Sequence, residues 1–408
     1  MAKGEILTQV IYGNLTGDGA TYATGPGGVD DFANPFYDVT LGTNGRSCIS
    51  CHRIPSGWSL SPTMVEKLFD STDGLDPLFR VNDGANSPLA DVSTVDARRT
   101  AYSLLLYKGL IRVGLAIPAG AEFTLVAVED PYGYASAAEL SLFRRPLPAA
   151  NLPFNSTVMW DGREPDLTSQ ANSAILGHAQ AGKSPATSTL DAIVAFESGL
   201  FTTQLMDFAA GDLTADGALG GPVNHAWQTY SPGVNDPRLA SFDPRVFTVF
   251  DAWTNATGTL AGARQSVARG QAIFNERQFR ISPTRSGTCG TCHNTPNVGN
   301  SSIGFFINIG TADEQHRTPD LPLYTLRCST TGKLHKTSDP GRALVTGKCT
   351  DIGKFKVPSL RGLAARPPYF HNGSAATLED AVIYKDTHFR LGLTDQERAD
   401  LVAFLSAL

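Results

Sequence analysis

The sequence predicts a mainly α-helical fold in which two similar domains pack together, with long loops and a few short β-strands. Three observations carry this. A short stretch with two cysteines and a histidine, RSCISCHRIP, recurs far along the chain as GTCGTCHNTP, the histidines standing 293 − 52 = 241 positions apart. That spacing is too wide for one small domain. Helical periodicity brackets the second copy on both sides. Forty glycines and 25 prolines in 408 residues, beside 41% hydrophobic residues, describe a globular chain with many ordered loops.

The elements follow in order. Residues 1–33 read as an N-terminal extension, and 34–205 as the first domain. Within it, 97–117 predicts a helix with a strand-like continuation. EFTLVAVED (122–130) alternates like a strand, and 187–200 has a helical pattern. Residues 206–263 form an insertion, whose stretch 210–245 is rich in Gly, Pro, Asp and Asn and reads as surface loop. The second domain, 264–408, opens with a helix over 266–279 carrying Val267, Gly270, Ile273 and Phe274 on one face. Another helix starts at Thr377, with Asp380 at its third position. The last helix is marked by Thr394 and Glu397 as a capping box, with Leu401, Phe404, Leu405 and Leu408 as its stripe. Gly270 would let the first and last of these helices approach closely.

The repeated motif is C-x-x-C-H. Two thiols and an adjacent imidazole suit covalent haem c, each thiol adding to a haem vinyl group and the histidine binding iron. Cys48, Cys51 and His52 hold one haem on this reading, and Cys289, Cys292 and His293 a second. A C-x-x-C redox pair needs no histidine, and zinc would need further ligands that neither site has nearby. A helix, a C-x-x-C-H and a closing helix describe a cytochrome c-type domain.

Haem attachment implies an oxidising compartment, so the chain is expected to be periplasmic or secreted, its signal peptide already removed. The two remaining cysteines, Cys328 and Cys349, are either a disulfide or two free buried thiols. A disulfide closing that loop would contribute roughly 3 kcal/mol in the chain-entropy model. A net charge of −6, with no basic run, gives no reason to expect nucleic acid, and no apolar segment reaches the length of a membrane span.

The tail GKFKVPSLRGLAARPPYFHNGSAATLEDAV and the segment MWDGREPDLTSQA resemble the bacterial di-haem cytochrome c peroxidases and their relative MauG. DPLFRVNDGANSP, LIRVGLAIP and LGHAQ look closer to MauG-like proteins and the di-haem rubber oxygenase RoxA. The resemblance covers roughly 34–200 and 264–408. It implies that the haem on His52 binds oxygen or peroxide and that the haem on His293 serves as electron port. Trp160 matches a tryptophan that relays electrons between them, and His371 matches the histidine of the family's Pro-Tyr-Phe-His motif, near the haem edge. The expected partner is a small electron-donor protein, a cytochrome c or a cupredoxin, or else an organic substrate. The oligomeric state is left open.

The family places a catalytic glutamate twenty residues after the tryptophan. Here that position is Gln180, whose amide cannot exchange protons near neutral pH, while Gln170 matches the family and His178 is the nearest alternative base. Ala174 and Ile175 would make the pocket more apolar. The expectation is a MauG-like or oxygenase-like enzyme activating O2 or peroxide. The alternatives are a hydrogen-peroxide-reducing peroxidase, slowed by Gln180, and a non-enzymatic electron carrier. The sixth ligand of the second haem is expected from the helix at 377–388 as His388, with Lys385 and Tyr384 as alternatives. Imidazole binds at neutral pH, whereas a lysine must first lose its proton. The resemblance also implies a calcium ion held by backbone carbonyls around the Pro-Tyr-Phe-His motif. Pro368 matches one carbonyl position, Arg366 replaces the usual threonine, and Thr100 stands where the family has an asparagine ligand.

Overall fold

The computed structural model describes residues 6–408. Its helices are short and its strands more numerous than expected, in five small antiparallel sheets among the described residues. The expected helices appear at Thr187–Ser198, Ala261–Glu276, Leu378–Phe389 and Asp395–Ser406. The expected strand appears at Phe123–Glu129. The run at 97–117 breaks into Val95–Ala101, Ser103–Lys108 and the strand Ile111–Leu115.

The close approach expected at Gly270 is present. A Cβ there would lie 2.0 Å from the Asp400 carbonyl oxygen, so the first and last helices of the second half cross backbone to backbone. Around the crossing, Phe404 meets Phe247 edge-on at 5.2 Å and Phe274 at a tilt at 5.8 Å. The helix Leu378–Phe389 begins with a capping box, in which Thr377 and Asp380 exchange hydrogen bonds.

Two features depart from the sequence reading. The N-terminal segment is no loose extension: Gln9–Gly13 and Gly17–Ala23 form a sheet with Leu200–Asp207. The proposed boundary at 205 thus falls inside a strand. Nor is 210–245 all surface, since Leu213, Ala218 and His225 are fully or almost fully buried. Polar composition concealed a few apolar anchors that pack against the second half.

A second sheet joins the halves. Leu323–Cys328 lies between Phe123–Glu129 and Leu334–Thr337. Cys328 and Cys349 are paired as a disulfide, 21 residues apart.

Candidate active site

Each C-x-x-C-H sits on a single tight turn built the same way. The backbone N–H of Ser47 donates to Ser50 Oγ (3.1 Å), and that of Thr288 to Thr291 Oγ1 (3.0 Å). A hydroxyl residue before the first cysteine and another between the two thus fix both turns. The histidines are then oriented alike. His52 Nδ1 meets the carbonyl of Trp58 at 3.0 Å, and His293 Nδ1 meets that of Gly299 at 2.5 Å. The carbonyl fixes the proton on Nδ1 and leaves Nε2 as a free electron pair. Burial lowers the pKa of both imidazoles, His293 to about 4, so they are neutral donors.

Each turn opens on a large cavity. The first is lined by Cys48, Cys51 and His52, and the second by Cys289, Cys292 and His293. Burial pushes the Cys48 and Cys289 thiols up to about 12, the opposite of what thiolate metal binding or thiol redox chemistry needs. The surroundings fit haem. Arg145 and Lys356, both buried, line both cavities, and the half-buried Arg366 lines the second; none is in an ion pair with a carboxylate among the described residues. Burial lowers Lys356 to about 8 and Arg145 to about 9. Unpaired buried cations are costly, and a cofactor with carboxylate arms would neutralise them. His371 Nε2, also buried and without a partner among the described residues, borders the second cavity.

The wall between the cavities contains Arg145, Pro146, Leu147, Trp160 and Lys356. Trp160 Nε1 donates to the Arg145 carbonyl (2.8 Å), and its ring meets His371 edge-on at 6.2 Å. His371 stacks on Phe355 at 3.9 Å. The rest of the W-D-G-R motif is structural. Asp161, fully buried, binds Arg144 (2.6 Å) and Arg163 (3.0 Å), and Arg144 grips Asp339 with two hydrogen bonds. This ion network ties the segment carrying Trp160 to the second half.

Part of the wall of the first cavity is the helix Leu167–Gly177 and its cap. Leu167, Gln170, Ala171, Ala174, Ile175 and His178 line the cavity at helical spacing. Gln180 does not. The helix ends at Gly177, and Gln180 lies in the turn beyond with a left-handed φ of 56°. Its exposed side chain accepts from Asn44 at 3.2 Å. Counting twenty residues from Trp160 therefore overshoots the cavity. His178 takes up the polar position instead. Its Nδ1 lies 2.5 Å from Asp83 Oδ2, and Asp83 is also paired with Arg46, which lines the same cavity. Burial alone would raise the Asp83 carboxyl, but the Arg46 guanidinium and the His178 hydrogen bond hold it below the ordinary carboxylate range.

In the second cavity the helix Leu378–Phe389 presents Leu378, Ala381, Val382, Lys385 and Phe389. His388 and Tyr384 are not among the lining residues, which corrects the expectation of His388. On a helix, position 388 lies about 60° around from 385. That turns His388 onto a neighbouring face, where it stacks on Tyr384 at 5.8 Å. Tyr384 in turn donates to the Ile309 carbonyl at 2.5 Å. Lys385 is half-buried, with its ammonium near the rings of Phe370 and Phe389, and desolvation lowers its pKa to about 8.

The calcium expectation meets a competitor. The carbonyls of Arg366 and Pro367 accept from Arg145 Nη2 at 3.0 and 3.3 Å, as does that of Leu60 at 2.5 Å. The Lys108 carbonyl accepts from Nη1 at 2.9 Å. A guanidinium here meets the Arg366 carbonyl, one of those expected around a cation, while the Pro368 carbonyl is not among its acceptors, and Thr100 is turned elsewhere, donating to the Asp96 carbonyl.

Sequence reasoning missed Asp83, Arg46, Arg145 and Glu197. Glu197 lines the first cavity and is buried, with Oε1 unpartnered. It could have been found, because it extends the apolar stripe of Leu190 and Ile193 at helical spacing, where a carboxylate is out of place.

No family model matches the chain. Curated relatives do. The cytochrome c peroxidase IdrP1 of Denitromonas iodatirespirans is 32% identical over 178 residues, covering 39% of this chain and 44% of that protein. The cytochrome c551 peroxidase of Nitrosomonas europaea is 31% identical over 182 residues, 42% of each. That of Pseudomonas aeruginosa is 25% identical over 261 residues, covering 63% of this chain and 62% of its own. A solved MauG-like protein associated with microbial copper homeostasis aligns over 100% of this chain at 16% identity, with a TM-score of 0.45. The chain spans less than half the length of the first two peroxidases it matches. By sequence, this chain is a relative of the bacterial cytochrome c peroxidases.

Proposed function

We propose that the chain is an extracytoplasmic di-haem oxidoreductase that reduces peroxide at the N-terminal cavity, fed with electrons through the C-terminal one. The observation that carries this is the Arg46–Asp83–His178 arrangement on the wall of the first cavity. Cys48 and Cys51 would attach a haem with His52 as its iron ligand, and that haem would supply the redox chemistry. His178 moves the proton. Asp83 accepts from Nδ1–H and so leaves Nε2 as the base, which takes a proton from one peroxide oxygen and returns it to the other. Arg46 keeps Asp83 ionised. Gln170 offers an amide donor on the same helix face. Trp160, on the shared wall, connects the two cavities. Lys385, which lines the C-terminal cavity together with His293, would be the second protein ligand of the haem held there.

The kinship with peroxidases supports the same reading, and a small cytochrome c or cupredoxin is the proposed electron donor. A second reading, activation of O2 toward an apolar organic substrate, draws on Leu167, Ala171, Ala174 and Ile175, which make most of that helix face apolar. Steady-state turnover of H2O2 with a reduced cytochrome decides between them. Rapid turnover that falls in His178→Ala supports the peroxidase. Negligible turnover in the native protein, with O2 uptake only when an apolar substrate is added, would reverse the choice.

A further inference from the structure

Glu197 has no place in the chemistry above. Its carboxyl is buried, it lines the N-terminal cavity, Oε1 has no hydrogen-bond partner, and no cation lies in an ion pair with it among the described residues. An isolated ionised carboxylate in such surroundings is disfavoured, so the group holds its proton to higher pH than an exposed glutamate and ionises only on the alkaline side. Burial accordingly raises its pKa to about 8. The elements packed on its helix bring few charges. The 3-10 turn Pro35–Tyr37 brings the Tyr37 phenol, the attachment turn brings Cys48, and Leu152–Phe154 brings none. The helix Leu167–Gly177 contains no titratable residue, and His178 follows it already paired with Asp83.

We propose that Glu197 is a proton-exchanging residue of the N-terminal cavity, taking up one proton when the haem held there gains an electron and giving it up when the electron leaves. This rests on the reading of that cavity as a haem site. The balance is simple. One electron from the donor protein and one proton from solvent enter together, converting carboxylate to carboxylic acid, and reoxidation reverses both. Reduction of hydrogen peroxide to two waters takes two electrons and two protons, and Glu197 keeps one of those protons out of reach of bulk solvent. His178, hydrogen-bonded and partly open to solvent, handles the other.

Spectroelectrochemical titration of the holoprotein between pH 6 and 10, with small redox mediators, tests this. In the native protein the reduction equilibrium of the N-terminal haem falls about tenfold per pH unit around pH 8, as one coupled proton requires. In Glu197→Gln it becomes flat over that window, and in Glu197→Asp the slope returns. The C-terminal haem behaves alike in all three. A slope that survives in Glu197→Gln, or a flat native protein, overturns the proposal. An indicator dye in weakly buffered solution gives an independent reading on the native protein, should the glutamine variant not fold. Reduction near pH 8 takes up a proton that does not appear at pH 6, and no uptake also overturns it. Absence of any N-terminal haem wave would instead sink the haem reading itself, whereas two waves without proton coupling sink only the role of Glu197.

Discussion

The two cavities share an attachment turn and differ in what faces it. In both, a hydroxyl residue fixes the turn and a backbone carbonyl orients the imidazole. Across the first cavity stand small apolar residues, one amide and a histidine backed by a buried ion pair. Across the second stand a half-buried lysine, aromatic rings and His371. The same local chemistry therefore meets a histidine backed by an ion pair in one half, and a lysine set among aromatic rings in the other. Function is set by the facing wall, and the motif says little about it.

The contrast can be broken most completely in the second cavity. Lys385→Ala should remove the low-spin signal of the C-terminal haem from the electron paramagnetic resonance spectrum, while His388→Ala leaves it intact. The opposite result would restore the imidazole as ligand. In the first cavity, His178→Ala should lower peroxide turnover by about 10²–10⁴-fold, the usual cost of losing general acid–base help. Gln180→Ala should change it less than about twofold, because that side chain lies outside the cavity and neutral surface substitutions have small effects. Asp83→Asn keeps the shape but not the charge behind His178. A loss of about ten- to a hundredfold is expected in kcat, as for other groups that orient an imidazole.

Smaller effects sharpen the comparison at the dividing wall and in bulk stability. Arg145→Ala strips donors from four carbonyls, one buried and three part-buried, at about 1 kcal/mol each or less. Its Tm should fall, added calcium should restore part of the loss, and chelators should leave the native protein unchanged. A native protein inactivated by chelation would show that a metal ion, not Arg145, fills this place. Acid and alkali should also act differently. Asp83 and Asp161 have lowered pKa values, so the stability they lend is present above about pH 3.8 and is lost as pH falls further. Glu197 is raised from 4.5 to about 8, so its contribution is full below 4.5 and declines as pH rises toward 8. Denaturant titrations across pH should show that decline flattened in Glu197→Gln.

Much of this was legible in the sequence for local reasons. The doubled C-x-x-C-H, the capped helices, the crossing at Gly270 and the strand at 123–129 all depend on neighbours within a turn or two. What was not legible depends on distant partners. Asp83 matters only because residues 46 and 178 converge on it, and Arg145 only because carbonyls at 60, 108, 366 and 367 do. His388 was misplaced by helix spacing alone, since spacing fixes relative faces but not which face meets the cavity. The early strands were overlooked because their partner lies near residue 200.

The disulfide has a consequence beyond its own loop. Cys328 ends a strand whose neighbour is Phe123, about two hundred residues earlier, and the backbone N–H of Cys349 donates to Glu122 in the same early segment. The covalent loop therefore holds down one edge of the sheet that sews the two halves together. A chain emerging vectorially cannot finish this seam until its final quarter has been made, and non-local seams of this kind close slowly. Thiol oxidation then acts as a late latch on the assembly of both cofactor chambers. Reductant added before the latch closes should scatter the relative placement of the halves more than it harms either one alone.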